Sequence, residues 1–367
     1  MPVTDVRTHR VRVPLHTPFV TAVRSTSQVE ALLVEIRDED GRSGWGEATE
    51  NWRVTGSSIA GAEAAVAGPL AAAVTGSDPD DLEPATRALA ATVTGNQAAV
   101  SAVDCALHDL AAARLGVPLG QLLGTTRRSV ATDVTLAVDT PERMRDAAGR
   151  RRAEGFTVLK VKLGRGEHDD LARLTEIAEA AGASTVLRVD ANQGWTPKQA
   201  IRLIRAMEDR GLNVEFVEQP VAAGDLEGLA EVTHAVGLPV MADESVWSAR
   251  DALHLVRTRA VDLINVKLAK CGGLRAARHL VALAEASGVG VLFGSMMETH
   301  VGVAATAALA ATASGGGPVA DLDAAWWLAH SPVAGGPRYD GAALVLADAP
   351  GLGITALADP APALSPR

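Results

Sequence analysis

Five side chains set the chemistry to be asked of this sequence: Lys162, Asp190, Glu218, Asp243 and Lys267, each ending a short apolar run, with Lys160 two residues before the first. The steps between them are 28, 28, 25 and 24 residues, and each step fits one strand, one helix and their loops. Three carboxylates are hard oxygen donors that suit Mg²⁺ completed by water and substrate. No His or Cys at ligand spacing accompanies them to favour zinc. Two lysines beside such a centre suit proton transfer at carbon. A free lysine titrates near about 10.4 and a useful base nearer about 7 to 8; the positive charges of Lys160 and a metal push Lys162 in that direction. A substrate carboxylate on the metal takes up the charge of an enediolate as its α-proton leaves.

The elements that must position these groups follow from the pattern around them. Beyond Arg128, eight β-rich runs alternate with helical segments, at residues 132–138, 157–163, 186–191, 214–218, 239–243, 262–267, 289–295 and 318–323. That is the signature of a parallel sheet closed into a barrel, whose active-site residues sit at the carboxyl ends of the strands. Lys162 then lies on the second strand and Lys267 on the sixth, facing each other across the mouth, a geometry that permits inversion. Asp190, Glu218 and Asp243 occupy one contiguous sector on strands three to five. Strand parity turns Lys160 and Lys162 the same way, pairs Asp190 with Asn192, and turns Glu244 away from Asp243.

Upstream, Val6, His9, Val11 and Val13 alternate, and residues 29–36 form a second strand pattern, with a polar, Pro18-broken segment at 16–27 reading as a loop. Residues 58–123 are Ala-rich and helical, with Ser101 as a helix N-cap. The fold class expected is α/β: a modified (β/α)8 barrel, written (β/α)7β, with an N-terminal α+β capping domain. The domains are read as 1–127 capping, 128–325 barrel, and 326–367 a segment folding back toward the capping domain. The glycine-rich stretch 314–318 precedes a strand, not a helix, and reads as a chain breaker rather than a phosphate cradle.

Composition points to small-molecule chemistry. The 367 residues are 47% hydrophobic and 21% charged with net charge -10, which disfavours nucleic acid and anionic membrane. There is no uninterrupted apolar run of membrane-spanning length and no signal-peptide pattern at the start, so a cytoplasmic protein is expected. Cys105 and Cys271 are too few for a disulfide framework and read as small buried apolar residues.

The motifs Leu159-Lys160-Val161-Lys162-Leu163, Arg188-Val189-Asp190-Ala191-Asn192, Val217-Glu218-Gln219-Pro220, Met241-Ala242-Asp243-Glu244-Ser245 and Ile264-Asn265-Val266-Lys267 with Cys271-Gly272-Gly273 resemble the enolase superfamily in its muconate-lactonizing-enzyme-like subgroup. Gly44-Trp45-Gly46-Glu47 and Ala106-Leu107-His108-Asp109 extend the resemblance into the capping domain. It implies Lys162 and Lys267 as an acid/base pair and Asp190, Glu218 and Asp243 as Mg²⁺ ligands. The subgroup includes racemases, epimerases, cycloisomerases and dehydrating synthases, and the shared core does not choose among them.

Asp321-Leu322-Asp323 at the end of the eighth run resembles the Asp-x-Asp motif by which the superfamily's dipeptide epimerases bind a substrate α-ammonium. Arg24 resembles the residue that holds a glutamate side-chain carboxylate, a match in which the guanidinium geometry suits its partner. Thr135, Lys160, Ser295 and Met297 occupy further substrate-contacting places. The resemblance therefore implies epimerisation of a peptidoglycan-derived dipeptide, L-Ala-D/L-Glu, by a homo-oligomer. N-acylamino acid racemase, o-succinylbenzoate synthase and cycloisomerase activities are the alternatives. Trp326 and Trp327, bulky for this position, are expected to pack against the tail, and Asn51-Trp52-Arg53 to bear on specificity.

Overall fold

The alternation in the first forty residues builds a long antiparallel hairpin, β1 (Val3–Val20) and β2 (Ser25–Asp38), with β3 (Ser43–Thr49) beside β2. The computed structural model describes residues 2–20, 25–164, 166–313 and 319–358. The middle of β2, residues 31–34, is continuously apolar because both of its faces are covered. Val29, Ala31 and Leu33 join the large core shared with the barrel, while Leu32, Val34 and Ile36 join a second core under the helices, as the two-residue period of a strand requires. The segment read as a loop is largely strand: after a register shift past Pro14, Phe19 pairs with Thr26 and Val20 with Ser25. Polar side chains do not prevent pairing that uses only the backbone.

The helices behind this sheet are α1 (Ile59–Ala65), α2 (Ala71–Val74), α3 (Leu82–Thr92), α4 (Gln97–Leu115) and α5 (Leu119–Leu122), with a wide helical turn at Pro69 between the first two. α4 starts four residues before Ser101, immediately after Asn96 at φ 50°. Ser101 is thus a buried interior residue, not an N-cap, and its hydroxyl lies beside Cys105. Gly46 lets β3 lie directly on α4, since a Cβ there would strike the Ala102 carbonyl.

After β4 (Ser129–Ala131) the chain alternates through β5 (Val134–Leu136), α6 (Pro141–Ala153), β6 (Val158–Lys162), α7 (Glu167–Ala181), β7 (Val186–Asp190), α8 (Pro197–Asp209), β8 (Val214–Glu218), α9 (Leu226–Ala235), β9 (Val240–Ala242), α10 (Ala249–Thr258), β10 (Leu263–Val266), α11 (Leu268–Cys271), α12 (Leu274–Ala286), β11 (Gly290–Phe293) and α13 (His300–Ala310). β5 to β11 are parallel neighbours in chain order. The ring is completed by residues 320 and 321, where Ala320 bridges Thr132 and Asp321 bridges Gly294. The eighth position is therefore a pair of bridges without a following barrel helix, which is the (β/α)7β form. Local signals start the helices: Thr140 before Pro141, the reciprocal cap of Thr196 with Gln199, and that of Ser248 with Asp251.

The chain ends with β12 (Val333–Gly335), β13 (Arg338–Asp340), β14 (Ala343–Val345) and β15 (Ile354–Leu357). β14 pairs with β4, and residues 351–352 reach the helices of the first domain, with Leu119 N–H donating to Gly351 O at 2.8 Å and Leu352 N–H to Asp109. Among the described residues, no helix is long and apolar enough to cross a membrane.

Candidate active site

The strand ends gather the chemistry-bearing side chains at the barrel mouth, where most of them line one cavity while Asp190 and Glu218 are fully buried and lie off its lining. Lys160 and Lys162 belong to β6, Asp190 and Glu218 are the last residues of β7 and β8, and Asp243 and Lys267 follow β9 and β10 directly. Register aligns three of them, since Lys162 pairs with Asp190 and Asp190 with Glu218. The cavity above is lined by Lys160, Lys162, Asp243 and Lys267, by Thr135, Ser295, Met297, Asp321 and Asp323, and by Phe19, Asn51 and Val54 from the first domain. Arg24 lies outside the described residues.

Each candidate metal ligand holds a lysine ammonium. Lys162 Nζ lies 2.5 Å from Asp190 Oδ2, and Lys160 Nζ lies 3.2 Å from the same oxygen and 2.6 Å from Glu218 Oε2. Lys267 Nζ donates to Asp243 Oδ2 at 2.8 Å, and Lys270 to Asp243 Oδ1. Burial alone would raise all three carboxylates. For Asp190 and Asp243 the adjacent lysines outweigh it and the pKa falls, whereas Glu218, with Asp190 adding to the effect of burial, ends above its ordinary value. In the same way burial would lower Lys267, but Asp243 outweighs it and holds the proton on.

The donor set fits a hard divalent cation. Three buried carboxylates already carry positive nitrogen, and Glu218 Oε2 lacks a well-directed hydrogen bond despite the nearby ammonium. A second acidic group, Asp133, Asp321 and Asp323, has oxygens within 4.8 Å of one another. It is the less suitable metal site: Asp133 is paired at 2.8 Å with Arg188, whose guanidinium keeps its charge, and Asp323 Oδ2 already accepts two N–H groups.

Those two N–H groups come from the Thr135 backbone at 2.7 Å and the Trp327 indole at 2.9 Å. Burial, reinforced by Asp321, still leaves the Asp323 pKa above its ordinary value, while Lys160 outweighs burial at Asp321 and lowers it. Among the described residues, the ring contacts of the two tryptophans are with each other, with β1, with Phe156 and with Arg151, not with the tail. Trp327 stacks on His16 and meets Phe19 edge-on, both on β1, and Arg151 lies 4.5 Å over the Trp326 ring, because the chain turns back in a short helical turn at residues 324–327. The tail's contact here is Tyr339, whose hydroxyl donates to Leu322 O at 2.6 Å.

Glu244 overturns the parity expectation. β9 ends at Ala242, so face alternation no longer governs the next residues, and Glu244 lines the cavity together with Asp243. Its Oε2 has no hydrogen-bond partner among the described residues, and burial, then the charge of Asp243, pushes its pKa up to about 7. Sequence reasoning also passed over Asn265, which donates to Glu218 Oε1 at 2.9 Å, and Lys270, buried against Asp243. Parity with Lys267 was a usable signal for Asn265. For Lys270 the signal was a charge inside an otherwise apolar turn.

A capped barrel of this topology, with lysines and carboxylates at its mouth, defines a class. Residues 3–124 match the family model described as mandelate racemase / muconate lactonizing enzyme, N-terminal domain, and residues 143–359 the one described as enolase C-terminal domain-like. The chain belongs to this enolase-superfamily family. It is 41% identical to the L-Ala-D/L-Glu epimerase of Bacillus subtilis, over 96% of this chain and 97% of that one, and 38% identical to a hydrophobic dipeptide epimerase of Enterococcus faecalis, over 97% and 100%. The solved structure of the Bacillus subtilis enzyme in a substrate-liganded complex matches with a TM-score of 0.95 at 41% identity, covering 98% of this chain and all of that one. The Enterococcus faecalis enzyme complexed with Mg and L-Leu-L-Tyr matches with a TM-score of 0.92 at 38% identity, covering 97% and 100%.

Proposed function

We propose that this protein is a Mg²⁺-dependent dipeptide epimerase, an isomerase inverting the α-carbon of the C-terminal residue, with L-Ala-D/L-Glu as its substrate. The observation that carries this reading is the pair Lys162 and Lys267, on strands separated by three others, with Asp321 and Asp323 in the same cavity. One lysine, as the free amine, takes the α-proton; the ammonium of the other returns a proton to the opposite face, so one C–H bond breaks and one forms. Mg²⁺ held by Asp190, Glu218 and Asp243 would supply positive charge to the substrate carboxylate and compete with the lysines for those carboxylate oxygens. Asp321 and Asp323 receive the substrate's ammonium, the feature that separates a dipeptide from an N-acylamino acid. Glutamate in the second position is supported by the similarity to the Bacillus subtilis enzyme and assigned to Arg24.

A second reading of the same site, preference for an apolar dipeptide, is favoured by Phe19, Val54 and Met297 on the wall and by the similarity to the Enterococcus faecalis enzyme. A dipeptide library in D₂O, followed by mass spectrometry and chiral analysis, tests both. L-Ala-L-Glu is expected to gain one deuterium at the glutamate α-carbon and to yield L-Ala-D-Glu. Absence of exchange with every dipeptide would refute the function, and faster turnover of apolar dipeptides would move the specificity to the second reading.

A further inference from the structure

Asp323 presents only one oxygen to the cavity's occupant. Its Oδ2 is taken by the Thr135 N–H and by the Trp327 indole N–H, so an incoming ammonium has Oδ1. Both donors, together with the Thr135 hydroxyl beside the same carboxylate, favour the ionised form, which burial and the nearby Asp321 oppose. The Thr135 donor is backbone and fixed by β5. The Trp327 donor is a side chain, and its position depends on what holds the ring.

That ring is held from the first domain. It is 4% exposed, stacked on His16 with centroids 5.4 Å apart and met edge-on by Phe19 at 5.6 Å. The backbone around it is tied to the same strand, with Leu15 bridging Leu328 and Ala329 N–H donating to Pro14 O at 2.9 Å. Phe19 itself lines the cavity.

We propose that Trp327 is a positioning residue for amino-end recognition: its indole N–H fixes Asp323 with one oxygen free for the substrate's ammonium, and its ring makes that geometry depend on the β1 segment being seated. The proposal rests on Asp323 binding the ammonium. Trp327 touches no reacting atom, so its effect belongs in KM for amine-bearing ligands and not in kcat.

The test pairs L-Ala-L-Glu with N-propionyl-L-glutamate, which has the same shape without the amine. Trp327→Phe keeps a ring and removes the donor. It is expected to raise KM for L-Ala-L-Glu by about tenfold, the scale of a hydrogen bond to a charged group, with kcat within about threefold. The inhibition constant of N-propionyl-L-glutamate stays within about twofold. Equal weakening of both ligands, or an unchanged KM, overturns the proposal. Asp323→Asn separates its failure from that of the underlying reading: if Asp323→Asn leaves the dipeptide KM unchanged, ammonium binding there is refuted. If Asp323→Asn raises it and Trp327→Phe does not, only the role of Trp327 is refuted.

A spectroscopic measurement on the wild-type protein keeps the proposal testable should Trp327→Phe not fold. The indole N–H resonance displaced by Asp323→Asn identifies Trp327. It is expected to shift on adding L-Ala-L-Glu and to stay in place with N-propionyl-L-glutamate; no shift with either ligand, or the same shift with both, counts against the proposal.

Discussion

Buried carboxylates occur in two regions of this molecule and are compensated in two different ways. At the barrel mouth, Asp190, Glu218, Asp243 and Asp321 are held by lysine ammoniums. Where the first domain meets the rest of the chain, Glu47, Asp104 and Asp109 are held mainly by backbone N–H groups, with the Thr299 hydroxyl added at Glu47 and His108 at Asp104: Thr299 and Gly302 for Glu47, Leu274 and Arg275 for Asp104, Trp45 and Leu352 for Asp109. Two of these interface carboxylates therefore cap the starts of α13 and α12. The electrostatic outcome differs in sign at three of the four mouth carboxylates, Glu218 staying raised by burial and by Asp190. Burial raises all three interface carboxylates despite the amides, Asp109 to about 7, whereas lysines bring Asp190, Asp243 and Asp321 below their ordinary values. A backbone amide cannot swing away or give up its charge, but a lysine can do both. Fixed partners suit docking, and movable ones suit a site that must exchange protons and ligands.

The largest test of that contrast is at the mouth. Lys162→Ala or Lys267→Ala is expected to lower epimerisation by about 10³-fold or more, measured by chiral analysis, while the thermal midpoint stays within a few degrees or rises. A collapse of stability with either substitution would make these lysines structural. The next is at the interface: Glu47→Ala strands the Thr299 and Gly302 amides and is expected to cost about 3 kcal/mol in denaturant unfolding, with kcat of the folded fraction within about threefold. A catalytic loss without a stability loss would erase the distinction between the regions.

The smallest is a pH effect beside the interface, at His300, the first residue of α13. Its pKa is lowered to about 4, first by burial and then by His330. The unfolded chain, titrating near about 6.5, binds the proton more tightly than the folded one, so this residue's contribution is intact above about pH 6.5 and is lost as pH falls toward about 4. At pH 5 the loss amounts to at most about 2 kcal/mol. His300→Gln should flatten the stability profile between pH 5 and 7; an unchanged slope would mean that other groups set it.

The barrel was legible because its strands are largely buried on both faces and so read as short apolar runs, with β6 to β10 each stopped by a Lys, Asp or Glu at the mouth. Seven of the eight runs became strands and the last became two bridges. Failures occurred where a local rule met a tertiary fact. Parity misplaced Glu244 because the strand had ended, a cap preference misplaced the start of α4 because Asn96 turns the chain first, and polar composition hid the strand pairing of Phe19 with Thr26. Partnerships across long separations left no local trace: Glu47 and Thr299 are 252 residues apart, and the ring contacts of Trp327 with His16 and Phe19 were replaced in expectation by a nearer tail.

The closing seam of the barrel has an evolutionary consequence. Among the described residues, 320 and 321 close the ring with two bridges and no barrel helix follows them, yet the same seam carries Asp321 and Asp323. Under the proposed function, substitutions at Asp323 can alter what is presented to a substrate's far end without touching the strand ladders, whereas Asp321 is tied through Lys160 to Asp190 and Glu218. Diversification of substrate preference over a constant reaction is what such a seam makes inexpensive.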